Sequence, residues 1–282
     1  YTDPVAAVVN CLRETAPALP IVLGGAGFSL VPESLMRRTG ADYGIVGEGE
    51  RLVVTLADAL AAGRPPPRGT ILRAATNDRI PGGEIGGARY DSGLLQSYLR
   101  DGSVIPIQTK RGCPHSCIYC SYPVLEGCEL RTRPPGAVVD EIETLVREHQ
   151  VPFLFFTDSV FNDDQGLHLA VVEEMRRRRI RIPWTAFFKP TGLTRETVRL
   201  MRETGLATVE IGSDGACDAT LRHLRKPFAY RDVVAANDLL MDAGVAVAHY
   251  FIFGGPGETE ATVREGIANL RHLRCSAAFV LL

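Results

Sequence analysis

Residues 104–120 read VIPIQTKRGCPHSCIYC. A stretch of strand-forming residues runs directly into three cysteines, Cys113, Cys117 and Cys120. Gly112 and Pro114, on either side of Cys113, prevent a regular helix, so the three thiols can converge from a loop. An ordinary iron–sulfur cluster takes four thiolates from the protein. With only three, one iron would stay open to bind and activate another molecule, much as catalytic zinc sites keep an open position.

Spacing alone leaves two other interpretations of these cysteines open. The three thiols together with His115 could form a structural zinc site. Cys117 and Cys120 alone match the C-x-x-C spacing of redox motifs. The motif stands at the end of one strand and before a series of strand–helix units, and this context favours the iron–sulfur interpretation.

Strands and amphipathic helices alternate from this motif to the end of the chain. The predicted strands are 104–109, 153–157, 184–188, 207–211, 246–253 and 277–282. Six such units in a row predict an α/β fold whose parallel sheet curls into a partial (β/α)6 barrel. In such sheets the chemistry lies at the C-terminal ends of the strands, which is where the cysteines fall.

The segment before the motif shows the same alternation, but with two strands only. They are predicted at 21–23 and 43–46, and each ends in a glycine-containing turn. Two strands are too few for a complete doubly wound domain, so we interpret this segment as the C-terminal part of one.

These patterns predict a division of the chain into three parts. Residues 1–62 form the partial α/β domain, and residues 103–282 form the barrel. Residues 63–102 are rich in Gly, Pro and Arg with little periodicity, which is typical of a linker. The chain begins at Tyr1 without a leader and stops inside an apolar run, so we expect a fragment of a longer protein.

Bulk composition restricts the class of protein. Of the 282 residues, 45% are hydrophobic and 23% are charged, as in soluble globular proteins. A net charge of −2 gives no reason to expect a nucleic acid partner, and no apolar run is long enough to span a bilayer. Seven cysteines, an odd number, favour metal binding in a reducing compartment, so we expect a cytoplasmic protein.

The C-x-x-x-C-x-x-C spacing of Cys113, Cys117 and Cys120, with an Arg-Gly pair before it, resembles the signature of radical S-adenosylmethionine (SAM) enzymes. The resemblance covers residues 104–282. It implies a [4Fe–4S] cluster on the three cysteines, with the amino and carboxylate groups of SAM on the open iron. An electron from the reduced cluster then splits SAM into methionine and a 5′-deoxyadenosyl radical, which abstracts hydrogen from a substrate. It also implies an electron donor such as flavodoxin or ferredoxin.

Residues at the second and third strand ends match the family's SAM-binding pattern. Tyr119 stands where a hydrophobic residue contacts the adenine, and Thr157, Asp158 and Ser159 stand where the amino group is contacted. Lys189 follows the third strand, where a cation could meet the SAM carboxylate. A helix N-cap is the alternative role for Asp158, and a solvated side chain is the alternative for Lys189.

Two later segments extend this match. Asp214 ends the fourth strand, where the family has an acidic residue that contacts the ribose, although glutamate is commoner there. Gly255 and Glu258 belong to the sequence GGPGE at 254–258, which resembles the family's glycine-rich motif on the adenine side. Glycine there lets the backbone approach a ligand closely, and an ordinary turn is the alternative.

The glycine-rich strand ends near the start of the chain resemble a cobalamin-binding domain, which precedes the radical SAM core in one large subclass. The sequences are PIVLGGAG at 20–27 and ADYGIVGEGE at 41–50. The residues implied to lie near the cobalamin nucleotide tail are Gly24, Gly25, Gly47 and Glu48. Glycines that merely end strands are the alternative. The family's loop for the lower cobalamin face would lie before Tyr1, so we expect cobalamin binding by the parent protein and not by this fragment alone.

Three functions are consistent with these features. The first is a cobalamin-dependent radical SAM enzyme that methylates or rearranges an unactivated small-molecule or natural-product substrate. The second is a methylthiotransferase, although those enzymes usually carry three further cysteines in an N-terminal domain, and only Cys11 precedes Cys113 here. The third is a zinc-stabilised scaffold or binding module without enzymatic activity.

Overall fold

The computed structural model describes residues 2–74, 79–102 and 104–282, which form two compact units. Unit 1 comprises Tyr1–Pro81 and Ser121–Cys128, and unit 2 comprises Gly82–Cys120 and Glu129–Leu282. In the described ranges, no helix has the length and apolar character needed to cross a bilayer.

Unit 1 contains a three-stranded parallel sheet in the order β1-β2-β3. Its elements are α1 (Thr2–Thr15), β1 (Val22–Leu23), α2 (Gly25–Leu30), α3 (Pro32–Thr39), β2 (Tyr43–Val46), α4 (Glu50–Ala61), β3 (Thr70–Arg73) and α6 (Tyr122–Leu125). The two strands predicted from the sequence are present. Gly44 is required in β2, because a Cβ there would lie 2.3 Å from the Phe28 ring.

The segment 63–102, which the sequence predicts to be a linker, contains regular structure instead. Its residues Thr70–Arg73 form β3, where Ile71 and Leu72 pack against the two small apolar clusters of unit 1. Its residues Ser92–Arg100 form α5 of unit 2, with the Asp91 carboxylate capping the Leu94 N–H at 2.8 Å. A four-residue strand among glycines and prolines is too short to produce a detectable period.

Unit 2 is built on a six-stranded parallel sheet in the order β11-β10-β9-β8-β7-β4. Its strands are β4 (Ile105–Ile107), β7 (Leu154–Phe156), β8 (Trp184–Phe188), β9 (Thr208–Asp214), β10 (Ala246–Ile252) and β11 (Ala277–Leu281). Its helices are α5, α7 (Pro135–Arg147), α8 (Leu167–Arg177), α9 (Arg195–Thr204), α10 (Asp218–His223), α11 (Tyr230–Asp242) and α12 (Glu260–His272). All six predicted strands are present, and the predicted α/β fold with a parallel sheet is confirmed.

The strand order determines which face of this sheet the helices cover. Each strand pairs in parallel with the next one along the chain, and crossovers of this kind are right-handed. Because the chain adds each new strand on the same side of the previous one, all the crossover helices lie on one face of the sheet. Val209, Ile211 and Val247 point to that face and are fully buried in the main core, which includes Leu240 of α11.

The opposite side of the sheet, which we call the inner face, consists of the side chains that alternate with these core residues. The members used below are Phe155, Thr185, Phe187, Glu210, Ala248, Tyr250 and Phe279. His249 lies on the helix side, fully buried, with Nδ1 2.8 Å from Ser213 Oγ and Nε2 3.2 Å from Asn237 Oδ1. Burial lowers its pKa to about 4, so it is a neutral core histidine.

Candidate functional site

The three cysteines of the motif lie in one loop after the first strand of unit 2. The loop leaves a short antiparallel pair, β5 (Lys110–Arg111) and β6 (Arg131–Thr132), through Gly112 at a φ of 95°. The Cys120 N–H donates to the Cys117 carbonyl at 3.1 Å and forms a tight turn. The Ile118 N–H donates to the Leu224 carbonyl at 3.3 Å, which ties the loop to the segment after α10.

The three thiols lie within electrostatic reach of one another. Cys113 is buried, whereas Cys117 and Cys120 are half-buried. Burial raises the pKa of Cys113 and of Cys117, and the charge of Cys120 raises both further. The Lys226 ammonium acts in the opposite direction on both thiols. Across the described ranges, no three His, Cys, Asp or Glu side chains stand close enough together to hold a single metal ion.

The donor set of this loop fits an iron–sulfur cluster. Thiolates are the ligands of such clusters, and a cation bound to a thiol removes its proton. The positive charge of Lys226 further favours the thiolate form of Cys113 and Cys117. Cys113, Cys117 and Cys120 would hold the cluster.

A buried ion network lies directly before the loop. Lys110 is 1% exposed, and its Nζ contacts the Phe161 carbonyl at 2.7 Å, Asp158 Oδ2 at 3.2 Å and Asp163 Oδ2 at 3.4 Å. Although burial alone would raise the pKa of Asp163, hydrogen bonds from His168 and the backbone and the charge of Lys110 lower it. The network therefore holds the ionised Asp163 carboxylate behind the cysteine loop.

Asp158, which is predicted to contact the SAM amino group, is bonded to the residues at the start of the cysteine loop. Its Oδ1 accepts the backbone N–H of Thr109 at 2.7 Å and that of Lys110 at 3.2 Å, and its Oδ2 accepts from Thr109 Oγ1 and from the Lys110 ammonium. The side chain is fully buried. The carboxylate thus pairs the backbone N–H groups of the two residues that follow Gln108, and it fixes the start of the loop.

The neighbours of Asp158 differ from it in exposure. Ser159 Oγ donates to the Gly112 carbonyl at 3.0 Å, so it lies against the loop, and it also lowers the pKa of Cys113. Thr157 is half-buried, and its backbone N–H donates to the Ile107 carbonyl at 2.9 Å. Of the three residues predicted at this strand end, Ser159 lies nearest the cysteines.

Tyr119 and Asp214 meet in a cluster with Lys226. The Tyr119 hydroxyl donates to Asp214 Oδ2, and the Lys226 ammonium pairs with the same carboxylate and lies 3.0 Å from the Tyr119 oxygen. Burial, reinforced by the Asp214 charge, raises the pKa of Tyr119. Asp214 adopts a φ of 59°, a conformation that aspartate tolerates better than most residues. Two predicted SAM contacts are thus brought together by a lysine that was not predicted.

Lys189 is buried, although its predicted alternative was a solvated side chain. Its exposed fraction is 6%, and its ammonium pairs with Asp164, whose side chain is 69% exposed, and lies 3.1 Å from Thr191 Oγ1. Burial, followed by the charge of Lys189, lowers the pKa of His115 in the cysteine loop. Lys189 therefore lies close to that loop, and it has a carboxylate partner that water can easily solvate.

The glycine-rich segment after β10 packs against the region that holds the loop. A Cβ on Gly257 would lie 2.6 Å from the His223 ring, and one on Gly255 would lie 3.7 Å from Leu224. The Glu258 carboxylate turns back to accept the Gly254 N–H. Close packing against His223 explains Gly257, whereas a Cβ on Gly255 would make only an ordinary contact.

In unit 1, the predicted cobalamin residues lie at the C-terminal ends of the adjacent strands β1 and β2. Gly25 and Gly47 have φ values of 85° and 81°, and a Cβ on either would meet nothing within 4 Å. Gly24 is the N-cap of α2, and Glu48 Oε2 accepts the Ile80 N–H at 3.0 Å. The open space beside two glycines at neighbouring strand ends fits a ligand that the backbone must approach closely.

Sequence reasoning missed Lys226 and the role of Lys110. Lys226 follows a short helix and stands more than 100 residues from the Tyr119 that it contacts, so no local motif marks it. Lys110 belongs to the quoted motif, but its burial depends on Asp158 and Asp163, which lie on the next strand–helix unit.

Comparison with known proteins gives one family match and several similar proteins. A family model described as the Radical SAM superfamily matches residues 107–268. Tryptophan 2-C-methyltransferase from Streptomyces laurentii is 26% identical, over 97% of this chain and 57% of that protein. Anaerobic magnesium-protoporphyrin IX monomethyl ester cyclase from Rubrivivax gelatinosus is 28% identical, over 90% of this chain and 49% of that protein. The chain spans about half the length of the curated relatives it matches.

The fold of the chain also resembles that of a solved enzyme. It is the radical S-adenosylmethionine methyltransferase TsrM from Kitasatospora setae, in a structure with tryptophan substrate and the SAM analog aza-SAM. The TM-score is 0.88 at 26% identity, covering 100% of this chain and 58% of that chain. A second structure of TsrM, with cobalamin and a [4Fe-4S] cluster, has a TM-score of 0.87 and covers 99% of this chain and 59% of that chain.

Proposed function

This chain belongs to the radical SAM superfamily, and we propose that it is the core of a cobalamin-dependent enzyme that methylates or rearranges a small organic substrate. The observation that carries the proposal is the position of Cys113, Cys117 and Cys120 in one loop after β4, where the charge of Cys120 acts on both of the other thiols. The similarity to TsrM over the whole chain supports methyl transfer as the leading reaction.

Within this proposal, the three thiolates hold a [4Fe–4S] cluster and leave one iron for SAM. When bound, the cluster supplies the electron that cleaves the sulfonium of SAM. The protein holds the loop in place through the Asp158–Lys110 network and the Ile118–Leu224 hydrogen bond. Pre-ordered ligands of this kind lower the cost of forming the site.

In the same proposal, residues around the loop would bind SAM, which is a zwitterion. Lys189 would bind the SAM carboxylate by exchanging its exposed partner Asp164 for the ligand. Ser159 would contact the amino group, and Asp214 would accept from the ribose hydroxyls after Tyr119 releases it to stack on the adenine. Gly255 and Glu258 would line the adenine side.

Cobalamin is proposed for unit 1. Gly24, Gly25, Gly47 and Glu48 would lie along its nucleotide tail, where the backbone beside Gly25 and Gly47 is open. When bound, cobalamin supplies a cobalt centre that carries a methyl group to the substrate. The TsrM structure with cobalamin and a [4Fe-4S] cluster, which matches 99% of this chain, supports this assignment.

The other two functions receive less support. A methylthiotransferase would need further cysteines, and the alignment of TsrM with all of this chain favours a cobalamin enzyme instead. A zinc-stabilised scaffold is not favoured, because the family that matches residues 107–268 is a family of enzymes.

The proposed setting is the cytoplasm, with flavodoxin or ferredoxin as the electron donor. All seven cysteines are unpaired in the structure, as expected for a protein kept in a reducing compartment. A cluster that must be reduced before each turnover also requires a donor of low potential.

The direct test of this function uses the full-length protein, reconstituted anaerobically with iron, sulfide and cobalamin. We expect SAM with a deuterated methyl group to give 5′-deoxyadenosine or S-adenosylhomocysteine once reductant and small aromatic candidate substrates are added, and the label to appear in a product. Mass spectrometry measures all three. A protein loaded with about four irons per chain that forms none of them would disprove the proposal.

Replacing Lys189 with methionine is expected to weaken SAM binding about 10- to 150-fold, because a hydrogen bond to a charged group contributes about 1.5–3 kcal/mol. The fold should survive, since the remaining partner Asp164 is largely exposed. Equilibrium dialysis with the reconstituted protein measures the Kd. Asp164→Asn is the matched control: it removes the competing carboxylate, so SAM should bind at least as tightly as before. Equal Kd values for Lys189→Met and the unsubstituted protein would remove Lys189 from the site.

A further inference from the structure

The inner face of the unit 2 sheet carries a carboxylate between two pairs of aromatic rings. Strand register places Phe187 directly beside Glu210, and the Phe187 ring packs on Phe155 with centroids 5.1 Å apart. On the other side, the Tyr250 hydroxyl donates to Glu210 Oε2 at 2.8 Å. The Tyr250 ring stacks on Phe279 at 5.0 Å and an angle of 19°. A planar ring entering this face would find edges and faces to pack against on both sides.

The charge of Glu210 is not balanced by the protein. Among the described residues, no Lys, Arg or His forms an ion pair with it, and Tyr250 is its one hydrogen-bond partner. Carboxylates that are half-buried among aromatic rings usually have a cation or several donors. The residue opposite Glu210 on β10 is Ala248, whose side chain supplies neither a cation nor a hydrogen-bond donor. The methyl group of Ala248 also leaves space beside the carboxylate.

A second polar atom on the same face is also without a partner. Thr185 is 5% exposed, and its hydroxyl oxygen is buried without a hydrogen bond to any described residue. It lies beside Phe155 in the register of β7 and β8 and alternates with the core residues Trp184 and Ala186, so it points to the inner face. A buried hydroxyl without a partner costs free energy that a ligand can recover.

The position of Glu210 along its strand relates it to the proposed SAM site. Glu210 stands four residues before Asp214 on β9, and the register with β10 shifts between these two residues. Asp214 contacts Tyr119 of the cysteine loop. Gly212 lies between them, and the Asp214 carboxylate lies 3.6 Å from the position that a Cβ on Gly212 would occupy. A molecule anchored at Glu210 would therefore extend towards the loop that starts the reaction.

We infer that Glu210 anchors the substrate, and that the substrate is a planar aromatic compound bearing a cationic amine. The ammonium pairs with the Glu210 carboxylate, the ring packs between the Phe155–Phe187 and Tyr250–Phe279 pairs, and a ligand donor or acceptor satisfies Thr185. An acidic substrate is disfavoured by the same carboxylate. This inference rests on the proposed function, because it assumes that the inner face is the substrate side of the reaction.

The test is calorimetric titration of the reconstituted full-length protein, without reductant, using three probes that share a ring: tryptamine, indole-3-propionic acid and indole. We expect tryptamine to bind at least tenfold more tightly than the acid. Glu210→Gln should reduce the tryptamine affinity about 10- to 150-fold and leave indole unchanged. Tyr250→Phe keeps the ring and frees the carboxylate, so it should retain tryptamine binding. Glu265→Gln, on the exposed surface of α12, is the matched control and should change nothing.

Three results would overturn the inference: no tryptamine binding to the unsubstituted protein, equal affinity for the amine and the acid, or a Glu210→Gln variant that binds tryptamine normally. Because the titration needs no turnover, its outcome is separate from that of SAM cleavage. If the protein binds tryptamine selectively but does not cleave SAM, the role of Glu210 is supported and the proposed function is disproved. If the protein cleaves SAM but its tryptamine binding does not depend on Glu210, the proposed function is supported and the role of Glu210 is disproved.

Discussion

A chain in which Cys113, Cys117 or Cys120 is replaced by alanine is expected to hold essentially no [4Fe–4S] cluster after anaerobic reconstitution. Each thiolate binds one iron, and residues 112–120 contain no fourth cysteine that could replace it. The measurement is iron and acid-labile sulfide per chain, together with the visible absorbance of the cluster. The unsubstituted chain should contain about four of each.

Other cysteines provide the matched controls for this prediction. Cys11→Ala and Cys275→Ala remove thiols outside the loop and should leave the iron content unchanged. Cys128→Ala is the sharpest control, because Cys128 is exposed and is the next cysteine along the chain. If its loss also removed the cluster, the protein would supply four ligands, and no iron would be open to SAM. Zinc in place of iron would support the scaffold hypothesis instead.

Lys110→Met is expected to destabilise the apoprotein by about 3–5 kcal/mol, the usual cost of removing one partner of a buried ion pair. Methionine nearly preserves the volume of the side chain but leaves Asp158 and Asp163 without their cation. Both carboxylates have side chains no more than 1% exposed. Urea unfolding followed by circular dichroism measures the free energy of unfolding.

An exposed ion pair provides the control for Lys110. Arg264 on α12 pairs with Glu260 one turn away, and both side chains are more than three-quarters exposed. Arg264→Met should therefore change the free energy of unfolding by no more than about 0.5 kcal/mol. If the two variants were equally stable, the buried network would not hold the loop, and the role given to Asp158 would be wrong.

The sheet of unit 2 could be predicted from sequence because its strands alternate with helices of clear period. The bounds of β8, Trp184–Phe188, were predicted to the residue. β3 was missed because a four-residue strand within a glycine- and proline-rich segment carries no period. Strand periodicity is a property of the local sequence, whereas the pairing that stabilises a short strand depends on its neighbour β2.

The site was harder to predict than the sheet. The cysteine spacing identified the loop, because three thiols within eight residues have few structural explanations. The contacts of Asp158 could not be predicted from the sequence. An aspartate at a strand end can bind a ligand or the backbone N–H groups of the adjacent strand, and only the position of Thr109 and Lys110 distinguishes them. Lys226 and Glu210 become recognisable only when the fold brings Tyr119 and Tyr250 to them.

The central claim is that three cysteines hold a cluster whose open iron binds SAM. Electron paramagnetic resonance of the reduced, reconstituted protein tests it most directly, with spectra recorded before and after SAM is added. We expect a [4Fe–4S]⁺ signal that changes on addition of SAM in the unsubstituted protein and in Cys128→Ala. A cluster signal that SAM leaves unchanged, or the absence of any iron–sulfur signal, would contradict it.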